Sequence, residues 1–275
     1  MLRRRAGSYI ETSLSRRLYV SAVPSRLTLE GIPGIPRIEA GDDLPTLVVD
    51  AMRAAGCVPD AGDALVVTSK VVSKAEDRFV DLRDVSPSPA ARELAARTEK
   101  EPELVELVLA ESTDIVRAVP GVLIVRHRLG FTSANAAIDR SNTDGGEHTA
   151  LLMPLDPDAS AAALRDAVVA AFEVPVAVVV SDTHGRPWRR GNVGVAVGLA
   201  GIDAVIDKSG GVDLFGRELQ ATTIPIADQL AGAAALVSGE TDEGLPVVLV
   251  RGAGLDVGNA AAIELTYPLE TDLFS

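Results

Sequence analysis

The pattern of apolar positions starts at Leu27 and alternates between two periods. The segment after GDDLP carries Pro45 near a start, apolar Leu47, Val48 and Met52, and Gly56 as a stop, which predicts a first helix. A turn, PDAGD, leads into ALVVTSK, whose β-branched run predicts a buried strand over Ala64 to Thr68. Pro87 and Pro89 introduce helical stretches over about 90 to 98 and 102 to 111, the second with Leu104, Leu107 and Val108 on one face. GVLIVRH reads as a strand, and residues from Gly130 to Gly146 read as a loop. A helix from Ser160 to Phe172 follows, with Leu164, Val168 and Phe172 four apart, and then a continuous apolar strand, VAVVVSD. The Gly-rich GNVGVAVGLAG receives no element. A helix over about Ile226 to Val237 and a strand from Val247 close the series.

Strands and helices alternate without a regular βαβ period, so the expected class is α+β, not a doubly wound sheet. With 275 residues, 47% of them hydrophobic, the chain can bury a core of one large domain or two small ones. Residues 1–26 carry six arginines and one acid without the apolar core of a secretory signal, and are expected to form a flexible extension. Residues 27–252 form the expected body, and 253–275 are expected to belong to the same unit.

The net charge of −13 disfavours nucleic acid or anionic lipid as partners of the whole surface, so an anionic ligand needs a local basic patch. A single cysteine, Cys57, excludes an intrachain disulfide and a cysteine zinc cage; near a helix end it reads as a small buried side chain. No stretch approaches the ~20 apolar residues of a membrane helix. A reducing, cytoplasmic setting is expected.

Candidate chemistry concentrates in a few segments. Asp182 and Thr183 end an apolar strand, a position that commonly faces ligands, and form a hard-oxygen pair suited to Mg²⁺ or Mn²⁺; the ordinary alternative is a turn cap. Arg186, Arg189 and Arg190 follow within eight positions, a pairing of carboxylate and guanidinium that suits phosphoryl transfer. Trp188 either packs its loop on the core or stacks on a base, and His184 reads as a surface histidine. Asp139 and Asn142 lie in ANAAIDRSNTDGG, which alone is a good turn and otherwise a second source of oxygen ligands. TSKVVSK sets Ser69, Lys70, Ser73 and Lys74 just after a strand, within reach of a phosphate or simply solvated. The chain has neither a Walker loop nor G-x-G-x-x-G. SGETDEGLP adds Glu240, Asp242 and Glu243 in a glycine-flanked loop.

Together the segments GIPRIEAGDDL, GDALVVTSKVVSKAE, GFTSANAAIDRSN, MPLDPDASA, VVSDTHGRPWRRGNVGVAVGLAG, VDLFGREL, IADQLAGAAALVSGE and PVVLVRG resemble the coenzyme F420-0:L-glutamate ligases, from about residue 27 to 252. The resemblance implies a ligase that uses GTP to phosphorylate the terminal carboxylate of coenzyme F420-0. The amine of L-glutamate then displaces phosphate from that acyl phosphate, leaving GDP and phosphate, and further γ-linked glutamates follow in many members. It implies GTP contacts at Ile35, Pro36, Arg37, Ile38, Ser69, Lys74 and Asn142, and along Val237, Ser238, Gly239, Glu240, Thr241, Asp242, Glu243 and Gly244. It implies one divalent ion at Asp139 and Asp182 and a second at Thr183 and Glu240, with K⁺ as a candidate additional cation. Glu240 stands where glutamine is common in the family. The resemblance also implies an α+β, mixed-sheet fold of two closely joined subdomains and a homodimer, and the single-domain form is expected because no nitroreductase-like domain follows. Placement alone adds Lys74, Arg186 and Arg189 as phosphate-neutralising groups. The alternatives are a related metal-dependent ligase or phosphohydrolase with another acceptor, or a non-catalytic nucleotide-binding protein.

Overall fold

A computed structural model describes residues 26–143 and 146–272. In chain order its elements are β1 (Thr28–Gly31), α1 (Leu44–Ala55), β2 (Ala64–Thr68), α2 (Ser69–Ala75), β3 (Phe79–Asp81), α3 (Pro89–Thr98), α4 (Pro102–Ala110), β4 (Ser112–Val119), β5 (Val122–His127), β6 (Thr132–Ala134), β7 (Thr149–Leu151), α5 (Pro157–Phe172), β8 (Ala177–Gly185), β9 (Asn192–Ala200), β10 (Ile206–Asp207), β11 (Thr223–Ile224), α6 (Ile226–Ser238) and β12 (Val247–Arg251). Apart from Arg26, the extension expected over 1–26 lies outside the described residues.

Local chemistry explains the boundaries. Asp43 caps α1, accepting from the Thr46 amide at 3.3 Å and the Thr46 hydroxyl at 2.6 Å, and Gly56 ends it in the left-handed region at φ 69°. Helix α5 starts three residues before the expected Ser160, because Asp156 accepts from the Ala159 amide at 2.9 Å and Pro157 suits a first helical turn.

The main sheet is five-stranded in the order β1-β12-β2-β8-β9, with β2 and β8 parallel and the other neighbours antiparallel. The α+β class with a mixed sheet is therefore observed. Both faces of the sheet are covered, which is why its strands read as unbroken apolar runs. Alternation sends Leu65, Val67, Val178, Val180, Val247 and Leu249 to one side, where they meet Val48 and Met52 of α1 and Leu164 and Val168 of α5. It sends Ala64, Val66, Val179 and Val248 to the other side, against Ala227, Leu230, Ala231 and Ala234 of α6.

Most of GNVGVAVGLAG is β9, with Gly194 and Gly198 inside the strand and Gly191 and Gly201 flanking it. A Cβ on Gly194 would lie 2.4 Å from the Ala231 carbonyl oxygen of α6, and one on Gly198 would lie 2.4 Å from the Pro157 backbone at the start of α5. Their missing side chains let helices approach β9 from both sides.

A smaller unit packs α3 and α4 against β4 and β5 around Leu94, Val105, Val108, Leu123 and Val125. Strand β4 is absent from the sequence expectation because most of it is exposed, Ile115 and Val116 included, so it lacks a one-sided apolar pattern. The two units meet at Glu111. Its carboxylate takes Arg78 Nη2 at 2.9 Å and Arg128 Nε at 3.0 Å, and His127 Nε2 stands 3.4 Å away. The same arginines donate onward to the carbonyls of Met153, Pro154 and Leu155, which lead into α5. Burial opposes ionisation of Glu111, but the adjacent His127 and the two guanidiniums outweigh it and hold the carboxyl down at about 2. Residues 253–272 pack on the same body: Ala262 donates to Asp158, which also holds the Leu199 amide of β9, and Arg126 of β5 pairs with Asp272 at 2.9 Å.

Two outcomes follow for stability. Gly194→Ala is expected to cost about 1–3 kcal/mol by overpacking, while Gly232→Ala, whose Cβ meets nothing closer than 3.6 Å inside α6, is expected to be neutral or stabilising; urea denaturation of both variants measures the contrast. Because the Glu111 carboxyl is held below its ordinary 4.5, its contribution, roughly 3 kcal/mol, is present at neutral pH and fades as pH falls from 4.5 towards 2. The stability gap between wild type and Glu111→Gln should therefore close across that acid range, and a gap independent of pH would contradict the ion network.

Candidate functional site

The carboxyl ends of the parallel strands β2 and β8 open into a cleft of about 760 Å³. This is where side chains of neighbouring parallel strands emerge beyond the sheet and where ligands of such sheets commonly sit. The register pairs Thr68 with Ser181, so the first residue of α2, Ser69, stands beside Asp182. Ser69 Oγ donates to Asp182 Oδ1 at 3.1 Å across 113 residues of sequence. TSKVVSK is thus a strand end followed by a short helix, not a solvated strand tail.

Strand β8 does not stop at Asp182 but continues to Gly185, and this changes the reading of its polar end. Alternation places Asp182 and His184 on one face and Thr183 on the other. Asp182 meets Ser69 of α2, and His184 Nε2 lies 3.0 Å from its second oxygen, Oδ2. Thr183 Oγ1 donates to Glu240 Oε2 at 3.2 Å, in the loop after α6. His184 is only 10% exposed, so its expected surface position is corrected: the extended backbone turns it to the Asp182 side. Its position two residues after Asp182 in a continuing strand was the signal available in the sequence.

Asp139 enters from the loop after β6 and is bridged backbone to backbone with Leu151. Lys70 Nζ lies 3.3 Å from Asp139 Oδ2 and also donates to the Ser141 carbonyl at 3.3 Å. Lys70 therefore ties α2 to the Asp139 loop instead of standing in solvent. Burial pushes the Asp139 carboxyl up, Lys70 pulls it back, and the nearby Asp182 and Glu240 push it up again. Asn142, at φ 54°, donates from Nδ2 to the Thr241 carbonyl at 3.2 Å and so joins this loop to the 238–244 loop.

Of the residues singled out from sequence, Ile35, Pro36, Arg37 and Ile38 form one wall of the cleft, and Ser69, Lys74, Asp139, Asn142, Asp182 and Thr183 form its base. Ser238, Gly239, Glu240, Thr241, Asp242, Glu243 and Gly244 line the cleft as well. Val237 is the exception in that stretch, because it packs with the α6 core cluster. Arg186, Arg189 and Arg190 lie in and beside the turn between β8 and β9, exposed and outside the residues that line the cleft. Trp188, in the same turn, is 86% exposed and does not pack its loop on the core. Cys57 is buried as expected, its thiol bonded to Glu30 at 3.2 Å and pushed up first by burial.

The donors around the base are carboxylate and hydroxyl oxygens, with no thiol among them. Such a set suits hard divalent cations, and the concentration of Asp139, Asp182 and Glu240 is a local excess of negative charge that a cation relieves. Two faces of β8 give two groupings, Asp139 with Asp182 and Thr183 with Glu240. Among the described residues no compact cage of three or more His, Cys, Asp or Glu side chains stands preformed.

The Lys70–Asp139 pair, with side chains 28% and 35% exposed, should show a coupling of about 0.2–1 kcal/mol in a double-mutant cycle of Lys70→Met and Asp139→Asn read by thermal unfolding. Strict additivity would show that α2 and the Asp139 loop are held together by something else.

The family model of F420-0:Gamma-glutamyl ligase matches residues 34–252. The coenzyme F420:L-glutamate ligase of Methanothermobacter thermautotrophicus is 44% identical over 226 residues, covering 82% of this chain and 89% of that protein. The protein of the same description from Methanopyrus kandleri is 42% identical over 226 residues, 82% of this chain and 87% of its own length. That from Archaeoglobus fulgidus is 41% identical over 247 residues, 90% of this chain and 95% of its own length. The match spans every residue that lines the cleft, from Ile35 to Pro246, and the chain belongs to the F420-0:gamma-glutamyl ligase family.

Proposed function

We propose that this protein joins L-glutamate to coenzyme F420-0 at the expense of GTP, through an acyl phosphate, with release of GDP and phosphate. The observation that carries the reading is the convergence of three separate segments, 69–74, 139–142 and 238–244, on the carboxyl end of β8 in a chain whose relatives are described as coenzyme F420:L-glutamate ligases. A ligase of this type must hold a nucleoside triphosphate, an acceptor carboxylate and an amine together while water is kept away.

The cleft residues supply recognisable parts of that task. The Ile35–Ile38 segment and the glycine-flanked 238–244 loop both line the cleft and are the proposed contacts for the nucleotide. Lys74 and Arg37 bring positive charge to a cleft whose base is acidic, which suits phosphate oxygens. The γ-phosphoryl group passes from GTP to a carboxylate oxygen of the acceptor. The glutamate nitrogen then attacks the acyl carbon, the C–O bond to phosphate breaks, and the amine proton leaves to water or a cleft carboxylate. Asp139 and Asp182 would hold one divalent cation, Mg²⁺ or Mn²⁺, and Thr183 with Glu240 a second; K⁺ is a further candidate without an assigned donor. Bound there, divalent cations offset charge on the phosphate oxygens during transfer. Lys70 pairs with Asp139 and Ser69 donates to Asp182, so each carboxylate has a partner from α2.

Arg189 stands exposed in the β8–β9 turn, whose flanking residues Gly185 and Asn192 line the cleft, and its share in phosphate neutralisation is proposed from that placement. The protein is proposed to work as a homodimer, and among the described residues no helix is long and apolar enough to cross a membrane.

Purified protein incubated with GTP, Mn²⁺, L-glutamate and authentic coenzyme F420-0 should yield a product heavier by one glutamyl residue, with further additions possible to count in the same spectrum. Asp182→Asn should lower turnover by at least about 100-fold. An unchanged mass with authentic precursor rejects the acceptor. GTP hydrolysis without product would instead favour a phosphohydrolase, and GTP binding without turnover a nucleotide-binding protein.

A further inference from the structure

Asp182 is oriented by more than its own backbone. Each carboxylate oxygen has one partner, Ser69 Oγ at 3.1 Å on Oδ1 and His184 Nε2 at 3.0 Å on Oδ2. The ring of His184 is in turn lodged against Phe131, with centroids 4.9 Å apart and planes tilted by 50°. Phe131 lies flat on His127, at 4.7 Å and 6°. His127 is wholly buried, and its Nδ1 accepts the Leu129 amide at 3.0 Å, which leaves its remaining proton on Nε2, facing Glu111. Glu111 is fixed by Arg78 and Arg128. A continuous stack thus runs from the ion network between the two units to a carboxylate at the base of the cleft.

We propose that His184 is a positioning residue for Asp182: Phe131, stacked on the buried His127, holds the imidazole so that its Nε2–H fixes one carboxylate oxygen and the free lone pairs face the cleft. The inference rests on the reading that Asp182 ligates a divalent cation. A carboxylate that must turn to meet its cation loses affinity, and groups that orient ligands contribute about 10–100-fold to metal binding. Strand geometry supports the assignment, since residues two apart share a face and only an extended backbone through Thr183 brings His184 onto Asp182. The imidazole donates from Nε2, so a glutamine, whose amide nitrogen reaches a similar point, can replace it, whereas leucine keeps bulk against Phe131 and removes the donor.

Mn²⁺ binding to the full chain in the presence of GDP, followed by the loss of the free-ion electron paramagnetic resonance signal, tests this apart from turnover. His184→Leu is expected to weaken Mn²⁺ by about 10–100-fold, His184→Gln to restore most of it, and Phe131→Leu to fall between wild type and His184→Leu. Thermal unfolding of His184→Gln and His184→Leu checks that both fold. If Asp182→Asn loses Mn²⁺ but His184→Leu binds it like wild type, or if glutamine is as poor as leucine, the positioning role is overturned while the cation reading stands. If Asp182→Asn binds Mn²⁺ as wild type does, the cation reading falls and this inference with it.

Discussion

The parallel register of β2 against β8 is the constraint on which the rest of the structure depends. Pairing Thr68 with Ser181 puts the first residue of α2 beside Asp182 at the carboxyl ends of these strands, where the Asp139 and Glu240 loops meet them. A slip of one residue would exchange the two faces, sending Asp182 towards α6 and Thr183 towards α2. The slip is opposed from both sides, because Leu65, Val67, Val178 and Val180 fill one core cluster while Ala64, Val66 and Val179 fill the other. β12 adds a further lock: antiparallel to β2, it ties Thr68 to the Pro246 carbonyl at 2.9 Å and so sets the 238–244 loop across the cleft.

Function and stability share parts here. Of the carboxylates that make the cleft acidic, Asp139 is paired with Lys70 and Asp182 is bonded by Ser69 and His184, so the acidic base is ordered by neighbours that also belong to the fold. Glu111 sits at the other end of the same arrangement. Its two arginines join the α3–α4 unit to the segment entering α5, and its neighbour His127 begins the stack that ends at Asp182.

Much of this was legible in the chain. The runs ALVVT, VAVVVSD and VVLVR declared the buried strands because both faces of the sheet are covered, and Asp43, Pro45 and Gly56 declared the ends of α1. The rest was hidden for physical reasons. β9 carries glycine where α5 and α6 press on it, so its composition reads as loop although its backbone is extended. β4 has no apolar face, because most of it meets solvent. β8 continues as strand through polar Ser181 to Gly185, and a polar strand end looks like a turn; that misreading placed His184 on the surface. The arginines of GRPWRR are close to Asp182 in sequence and stand exposed in the β8–β9 turn, outside the residues that line the cleft. Lys70, one of four lysines, lies next to the strand end in sequence, yet its pairing with Asp139 depends on a contact 69 positions away that only the fold could supply.

The central claim is that β2 and β8 deliver Asp182 to meet Asp139 as a shared cation-binding base. Anomalous diffraction at the manganese edge, from crystals grown with Mn²⁺ and GDP, tests it most directly. The account predicts a peak within coordination distance of both the Asp139 and Asp182 carboxylates, with His184 still bonded to the outer oxygen of Asp182. Manganese bound only elsewhere, or GDP held in the cleft with no metal beside either carboxylate, would contradict it.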